Sequence, residues 1–219
     1  MSKISTHQIP CPNCGHTGEF QRWDSINVDL NPDMREEAIS GRIFQWTCPH
    51  CGKSFTVPYA TLYHDMKRDF MVWYMPVRSK DGEDLKFRGA NGPYRMGEGY
   101  RCRCTYEIHD FQEKIQQLES GLNDCVIEVM KHIALYKNLP EGLPADTEFR
   151  FGGVVPEEGD NRFLLFHCIS SSLDEGKIVT VPYSVYADMA NDPMMEKIFE
   201  QDAEFPEVSQ GYLNKVIGK

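Results

Sequence analysis

Cys11-Pro12-Asn13-Cys14-Gly15 and Cys48-Pro49-His50-Cys51-Gly52 are the two stretches that decide how this chain folds. Each sets two cysteines on one tight turn with both sulfurs pointing inward. Each ends in a glycine, which tolerates the backbone conformation that turns amides toward sulfur. Together they offer four soft anionic ligands, predicting one tetrahedral centre built from Cys11, Cys14, Cys48 and Cys51. Sulfur-only tetrahedral coordination selects zinc or iron, with zinc the first choice. A closed four-ligand shell leaves no position for water, so the expected ion is structural and not catalytic. His16 and His50 flank the cysteines and are read as neighbours of the site, since four thiolates already fill it.

The 33 residues between Cys14 and Cys48 exceed the roughly 15–20 of a simple four-cysteine ribbon. The excess reads as structure, so the two turns are brought together by folding. Cys11 is expected to open the ordered part. Phe20, Ile26, Val28 and Leu30 suggest a strand from Phe20 to Leu30, and Met34 to Ile39 a short helix stopped by Gly41. Ile43–Thr47 reads as a strand leading into the second turn, and Ser54–Val57 as the strand leaving it.

Farther out, Phe70-Met71-Val72-Trp73-Tyr74-Met75 is apolar at every position, which fits a strand covered on both faces in a sheet interior or at a partner interface. Ser79–Gly99, rich in glycine and charge, reads as a loop without a phosphate-binding pattern. A helical hairpin is expected over residues 107–137. Asp110 and Glu113 have capping-box spacing, Phe111, Ile115 and Leu118 share one face, and Gly121 ends the first helix. The second starts near Asn123 or Asp124 and buries Val126, Ile127, Met130, Ile133 and Ala134. Pro140-Glu141-Gly142-Leu143-Pro144 is the best linker, dividing residues 1–139 from an acidic α+β region, 140–219. Lys53–Tyr59 is echoed by Lys177–Tyr183, and both copies run on to a Tyr and an Asp-Met pair. This predicts a strand–turn–strand–helix unit used twice, the second copy degenerate and metal-free.

The formal net charge is -10. Residues 1–100 carry 12 basic and 12 acidic side chains, and residues 101–219 carry 11 and 21. Counterion release on nucleic acid needs clustered Lys and Arg, so this balance argues against a general nucleic-acid binder. Met1–Gln8 holds no apolar run of export-signal length, and no stretch is long enough to span a bilayer. Eight cysteines without such a signal read as reduced thiols and metal ligands in the cytoplasm.

Further residues match a known pattern: Ser25-Ile26-Asn27-Val28, Asn31-Pro32, Leu62-Tyr63-His64-Asp65-Met66, Glu113-Lys114-Ile115, Gly121-Leu122-Asn123-Asp124 and Ile127-Glu128. With the paired Cys-Pro-x-Cys turns they resemble the CpXC-domain proteins of bacteria and archaea, over roughly residues 9–137. The resemblance implies zinc held by Cys11, Cys14, Cys48 and Cys51. It brings no reaction with it and does not reach residues 141–219.

Other candidates read as structure. Cys102 and Cys104 alternate with Arg101 and Arg103, which puts both thiols on one buried strand face and not in a second metal pair. His167 and Cys168 are adjacent, so on a strand they point to opposite faces and form no dyad. His64-Asp65 reads as a hydrogen-bonded helix start. Arg88, Arg95, Arg101 and Arg103 form the one basic cluster, read as a solvated face. No set of nucleophile, base and oxyanion donors emerges. The sequence therefore predicts an α+β protein: a zinc-ribbon-like β domain with an appended sheet and two-helix hairpin, then a metal-free α+β unit. It points to a non-enzymatic protein-interaction or scaffold module that self-associates or binds a protein partner. A nucleic-acid-linked regulator of the zinc-ribbon type and an enzyme with an unrecognised site are the other readings.

Overall fold

The computed structural model describes residues 1–78, 99–156 and 162–217 and the backbone of 88–89 and 92–93, without the side chains of Ala134 and Tyr136. The expected loop from Ser79 to Gly99 lies almost wholly outside the described residues, as do the side chains of Arg88 and Arg95. The chain is mixed α+β and forms two compact units. One is Met1–Gln112 with Ala203–Phe205, the other Glu113–Asp202 with Pro206–Lys219.

The first unit carries β1 (Lys3–Pro10), β2 (Thr17–Asn27), α1 (Met34–Ile39), β3 (Gln45–Thr47), β4 (Ser54–Thr56), β5 (Thr61–Asp65) and β6 (Phe70–Tyr74). The two-residue strands β7 (Arg88–Gly89) and β8 (Gly92–Pro93) follow, then β9 (Arg101–Thr105). Five of these form a sheet in the order β1-β2-β5-β6-β9, while β3 and β4 form a separate hairpin. β6 runs antiparallel to β5 and parallel to β9, in the sheet interior. Phe70, Met71, Val72 and Tyr74 are buried. The apolar run is thus a strand of the sheet interior, buried except for the half-buried Trp73. Phe111, from the first turns of helix α2 (Ile108–Glu119), packs against Phe44, Tyr63 and Tyr74.

Several expectations need correction here. The ordered part begins before Cys11, because β1 pairs along the length of β2. Most β1 side chains are exposed, so no hydrophobic alternation marked the strand. β2 stops at Asn27, whose side-chain oxygen accepts the backbone N–H groups of Asp29 and Leu30 and turns the chain. Arg42–Phe44 is a tight 3-10 turn after Gly41, whose φ of 76° requires glycine, so the strand starts only at Gln45. Leu62–Asp65 is strand and not a helix start. Buried Asp65 accepts the Arg68 N–H at 3.0 Å and its guanidinium at 2.6 Å, closing the turn into β6.

The second unit holds the rest of α2, then α3 (Asp124–Lys131), β10 (Glu148–Pro156), β11 (Arg162–Ile169), β12 (Lys177–Pro182), α4 (Tyr183–Ala190), α5 (Met194–Lys197) and α6 (Gln210–Ile217). β10-β11-β12 is an antiparallel sheet. Val126, Ile127 and Met130 of α3 pack with Phe149, Phe151, Leu164 and Phe166 of that sheet. Cys125 and Val129 pack with Phe199, Val208 and Leu213. All eight residues of α3 are buried. Asn123 caps it by accepting the Cys125 N–H at 3.1 Å.

Ile133, expected in the buried stripe, is 49% exposed. His132–Tyr136 is a π-turn, with Lys137 N–H donating to the His132 carbonyl, and the wider turn rotates Ile133 out of phase. The echoed segments share a hairpin, β3–β4 and β11–β12, but the first continues into strand β5 and the second into helix α4. A repeated strand–turn–strand–helix unit is therefore corrected to a repeated hairpin.

Candidate metal centre

Each Cys-Pro-x-Cys-Gly turn joins two antiparallel strands, β1 to β2 and β3 to β4. The two turns are built alike. Cys11 N–H donates to the His16 carbonyl and Gly15 N–H to the Cys11 carbonyl, both at 2.9 Å. Cys48 N–H donates to the Lys53 carbonyl at 2.9 Å and Gly52 N–H to the Cys48 carbonyl at 3.0 Å. Gly15 and Gly52 hold φ of 73° and 70° with open space around them, so each is glycine for its backbone conformation.

The turns converge. The Cys11 and Cys51 sulfurs are 3.6 Å apart and those of Cys14 and Cys48 3.8 Å apart, with all four within 4.8 Å of one another. Metal–sulfur bonds of roughly 2.3 Å in a regular tetrahedron give sulfur–sulfur edges of roughly 3.8 Å. A disulfide would need about 2.05 Å. The spacing thus fits four ligands around one ion, and all eight cysteines are free thiols. Lys53 Nζ donates to Asn13 Oδ1 at 2.7 Å, tying one turn to the other. The exposed rings of His16 and His50 stack across the turns at 5.0 Å, beside the sulfurs and outside their cluster.

The electrostatics favour a cation. A backbone hydrogen bond from Lys53, outweighing desolvation, lowers the Cys51 thiol to about 6. At Cys14 a backbone hydrogen bond from His16 favours the thiolate. Desolvation and the sulfurs of Cys11, Cys51 and Cys48 outweigh it and push the thiol up to about 12. Thiolates this close oppose one another's ionisation, and a bound divalent ion would relieve that repulsion.

The other candidate residues stay apart from this cluster. Cys102 and Cys104 lie buried on one strand face with Met71, Met75 and Phe205, as their alternation predicted. Burial lifts the Cys102 thiol to about 11. His167 is exposed and Cys168 buried, on opposite faces of β11. His64 bonds the Tyr100 hydroxyl.

The expected capping box does not form: α2 already starts at Ile108, so Asp110 lies inside its first turn, and Glu113 serves elsewhere. Its carboxylate is buried and accepts Lys131 Nζ at 2.6 Å and the Phe151 N–H at 2.8 Å. Around it lies an ionic network that sequence reading missed. Lys114 pairs with Asp124 at 3.1 Å, Lys131 with Glu128 at 3.5 Å, and Arg150 with Glu113 at 3.5 Å. Gln117 and Gln210 donate to Glu128 at 2.9 and 2.8 Å. One signal was available: Asp124, Glu128 and Lys131 recur at i, i+4 and i+7, so they share one face of an otherwise apolar helix that is buried along its length.

These residues and turns define a class. The CpXC protein family model matches residues 9–131, more than half of the chain. The chain belongs to that family, and its four-cysteine cluster can hold a metal ion. No curated protein and no solved structure matches it. Among the described residues no helix is long and apolar enough to cross a membrane.

Proposed function

We propose that this CpXC protein is a non-enzymatic protein-interaction or scaffold module braced by one structural zinc ion on Cys11, Cys14, Cys48 and Cys51. The observation that carries the metal is the pair of sulfur–sulfur separations, 3.6 and 3.8 Å, at the tips of two hairpins. Zinc is preferred to iron because closed four-thiolate shells on paired hairpin turns are its usual structural setting. Its role is to lock the tips of two hairpins, giving a zinc-ribbon-like platform. The free thiols fit a reducing compartment, the cytoplasm. The division into a zinc-bearing region 1–139 and an acidic region 140–219 belongs to the same reading as one of sequence and family extent, and the family match ending at residue 131 supports it. The compact packing units divide earlier, between Gln112 and Glu113.

Affinity capture with zinc-loaded chain, against Cys48→Ser chain, tests the interaction role. A specific protein partner, or self-association, present with zinc and lost in the variant is expected. A strict monomer that binds no protein in either form contradicts it.

A further inference from the structure

Next to the sulfur cluster, the first unit carries a groove of about 400 Å³ walled by β2, α1 and β3. One wall is an unpaired strand edge. β2 pairs with β1 over residues 17–25 but with β5 only over Ser25–Asn27, so among the described residues no strand runs along the second edge of residues 17–24. Along a strand, alternate residues point their N–H and C=O groups the same way. The Glu19 carbonyl accepts the Trp46 indole N–H at 2.9 Å, and the Trp23 N–H reaches the Tyr59 hydroxyl at 3.3 Å. Residues 19, 21 and 23 therefore direct their backbone groups away from β1. Gln21 sits between these two anchored neighbours, and its outward N–H and C=O have no partner among the described residues.

The groove also supplies side-chain surface. Phe20 and Ile43 are buried there, with Trp23 and Met34 part-exposed beside them. Its one cation, Arg42, is spent on Glu37: Nε donates to the two carboxylate oxygens at 3.0 and 3.1 Å. The Glu19 carboxylate is exposed and accepts the Gln8 amide at 3.4 Å, with no cation paired to it among the described residues. The rim is therefore acidic. An exposed strand edge beside apolar pockets is the geometry of recognition by strand addition, in which main-chain bonds give affinity and alternate side chains give selectivity.

We propose that this groove takes a short, basic, extended segment of a partner protein. The segment adds as a strand against Gln21, sets an apolar side chain beside Trp23 and places a lysine or arginine toward Glu19. This rests on the interaction-module reading above and names its surface and partner. Charge decides against the other occupants: a second copy of this chain carries a formal net charge of -10 and would bring acid to an acidic rim.

The test uses the zinc-loaded 219-residue chain and two probes, acetyl-Lys-Val-Lys-Val-Lys-amide and acetyl-Glu-Val-Glu-Val-Glu-amide, followed by amide NMR and hydrogen exchange. The basic peptide is expected to shift the Gln21 and Trp23 amides and slow exchange at Gln21, and the acidic one to do neither. Gln21→Pro removes the outward N–H and leaves the bonds to β1 intact, so it should weaken the basic peptide about tenfold. Glu19→Lys, an exposed change, should remove the preference for the basic peptide and carries the test if Gln21→Pro misfolds. Binding unaffected by both variants, or no response at Gln21, overturns the proposal. So does dimerisation that protects Gln21 without peptide. A protein partner bound on another face, with Gln21 unperturbed, overturns the groove and leaves the interaction reading standing, whereas a chain that binds nothing overturns both.

Discussion

Trp46 Cζ2 lies 2.9 Å from where a Cβ on Gly18 would sit, with Pro49 Cδ 3.0 Å from the same point. Gly18 is thus where the β1–β2 hairpin presses against the β3–β4 hairpin, immediately behind the four sulfurs. A side chain there must push the second hairpin away from the first.

Gly18→Ala should therefore destabilise the fold by about 1–3 kcal/mol, the usual cost of overpacking, and speed metal loss to a chelator. Thermal melts and chelator competition measure both effects. Gly176→Ala, with nothing within 4 Å of its Cβ, is the matched control and should change neither.

Cys48→Ser removes one sulfur and leaves three thiols facing each other. Small zinc domains draw roughly 10–16 kcal/mol of apparent stability from their metal. Residues 1–76 should accordingly lose hydrogen-exchange protection. An unchanged melting temperature would contradict that.

Lys131 Nζ stands 2.6 Å from Glu113 Oε1 and 3.5 Å from Glu128 Oε2, all three side chains buried. Lys131→Met leaves two buried carboxylates short of a cation and should cost about 3–5 kcal/mol in denaturant unfolding. Adding Glu113→Gln, which keeps an acceptor for the Phe151 N–H, should recover part of the loss. Strictly additive effects would mean the pair is not coupled.

Among the described residues, buried His132 finds no hydrogen-bond partner of ordinary geometry for either ring nitrogen. Burial first, then the Lys137 charge, lowers its pKa below 6.5, against an opposing pull from Gln210. The unfolded chain therefore takes up this proton at higher pH than the folded one. The stability His132 contributes is complete above its unfolded pKa and is lost as pH falls through 6.5 toward the folded value. Melting temperature should decline from pH 7 to 5, and His132→Phe should flatten that decline. Glu128 acts lower on the scale. Burial raises its pKa, but Lys131, Lys114, Gln117 and Gln210 outweigh burial and bring it below 4.5. Its contribution is therefore complete above the ordinary carboxylate value of 4.5 and is lost as pH falls from there through the folded value.

The sulfur cluster was legible because ligand chemistry fixes residue type and spacing within two short turns, each readable without its surroundings. The same holds for the Cys102–Cys104 alternation, for α1, and for the Phe111–Ile115–Leu118 face, all local periodicities. What sequence hid was set by distant contacts. β1 forms because it pairs with β2 and not because its own residues alternate. Thr61–Asp65 is a strand because β2 and β6 flank it, although a like segment, Tyr183–Ala190, lacks those neighbours and is helical. Glu113 looked like part of a cap because Asp110 and Glu113 have capping-box spacing; the helix start at Ile108 and the ion pair to Lys131, 18 positions away, show otherwise. The groove at Gln21 is invisible for a related reason, since an unpaired edge depends on which strands do not reach it.

The central claim is that four thiolates hold one ion, and metal analysis of chain purified without added metal, together with its visible spectrum, tests it most directly. One zinc per chain in a colourless protein, lost in Cys48→Ser, is the predicted result. A metal-free chain that folds with four titratable thiols at Cys11, Cys14, Cys48 and Cys51 would contradict it.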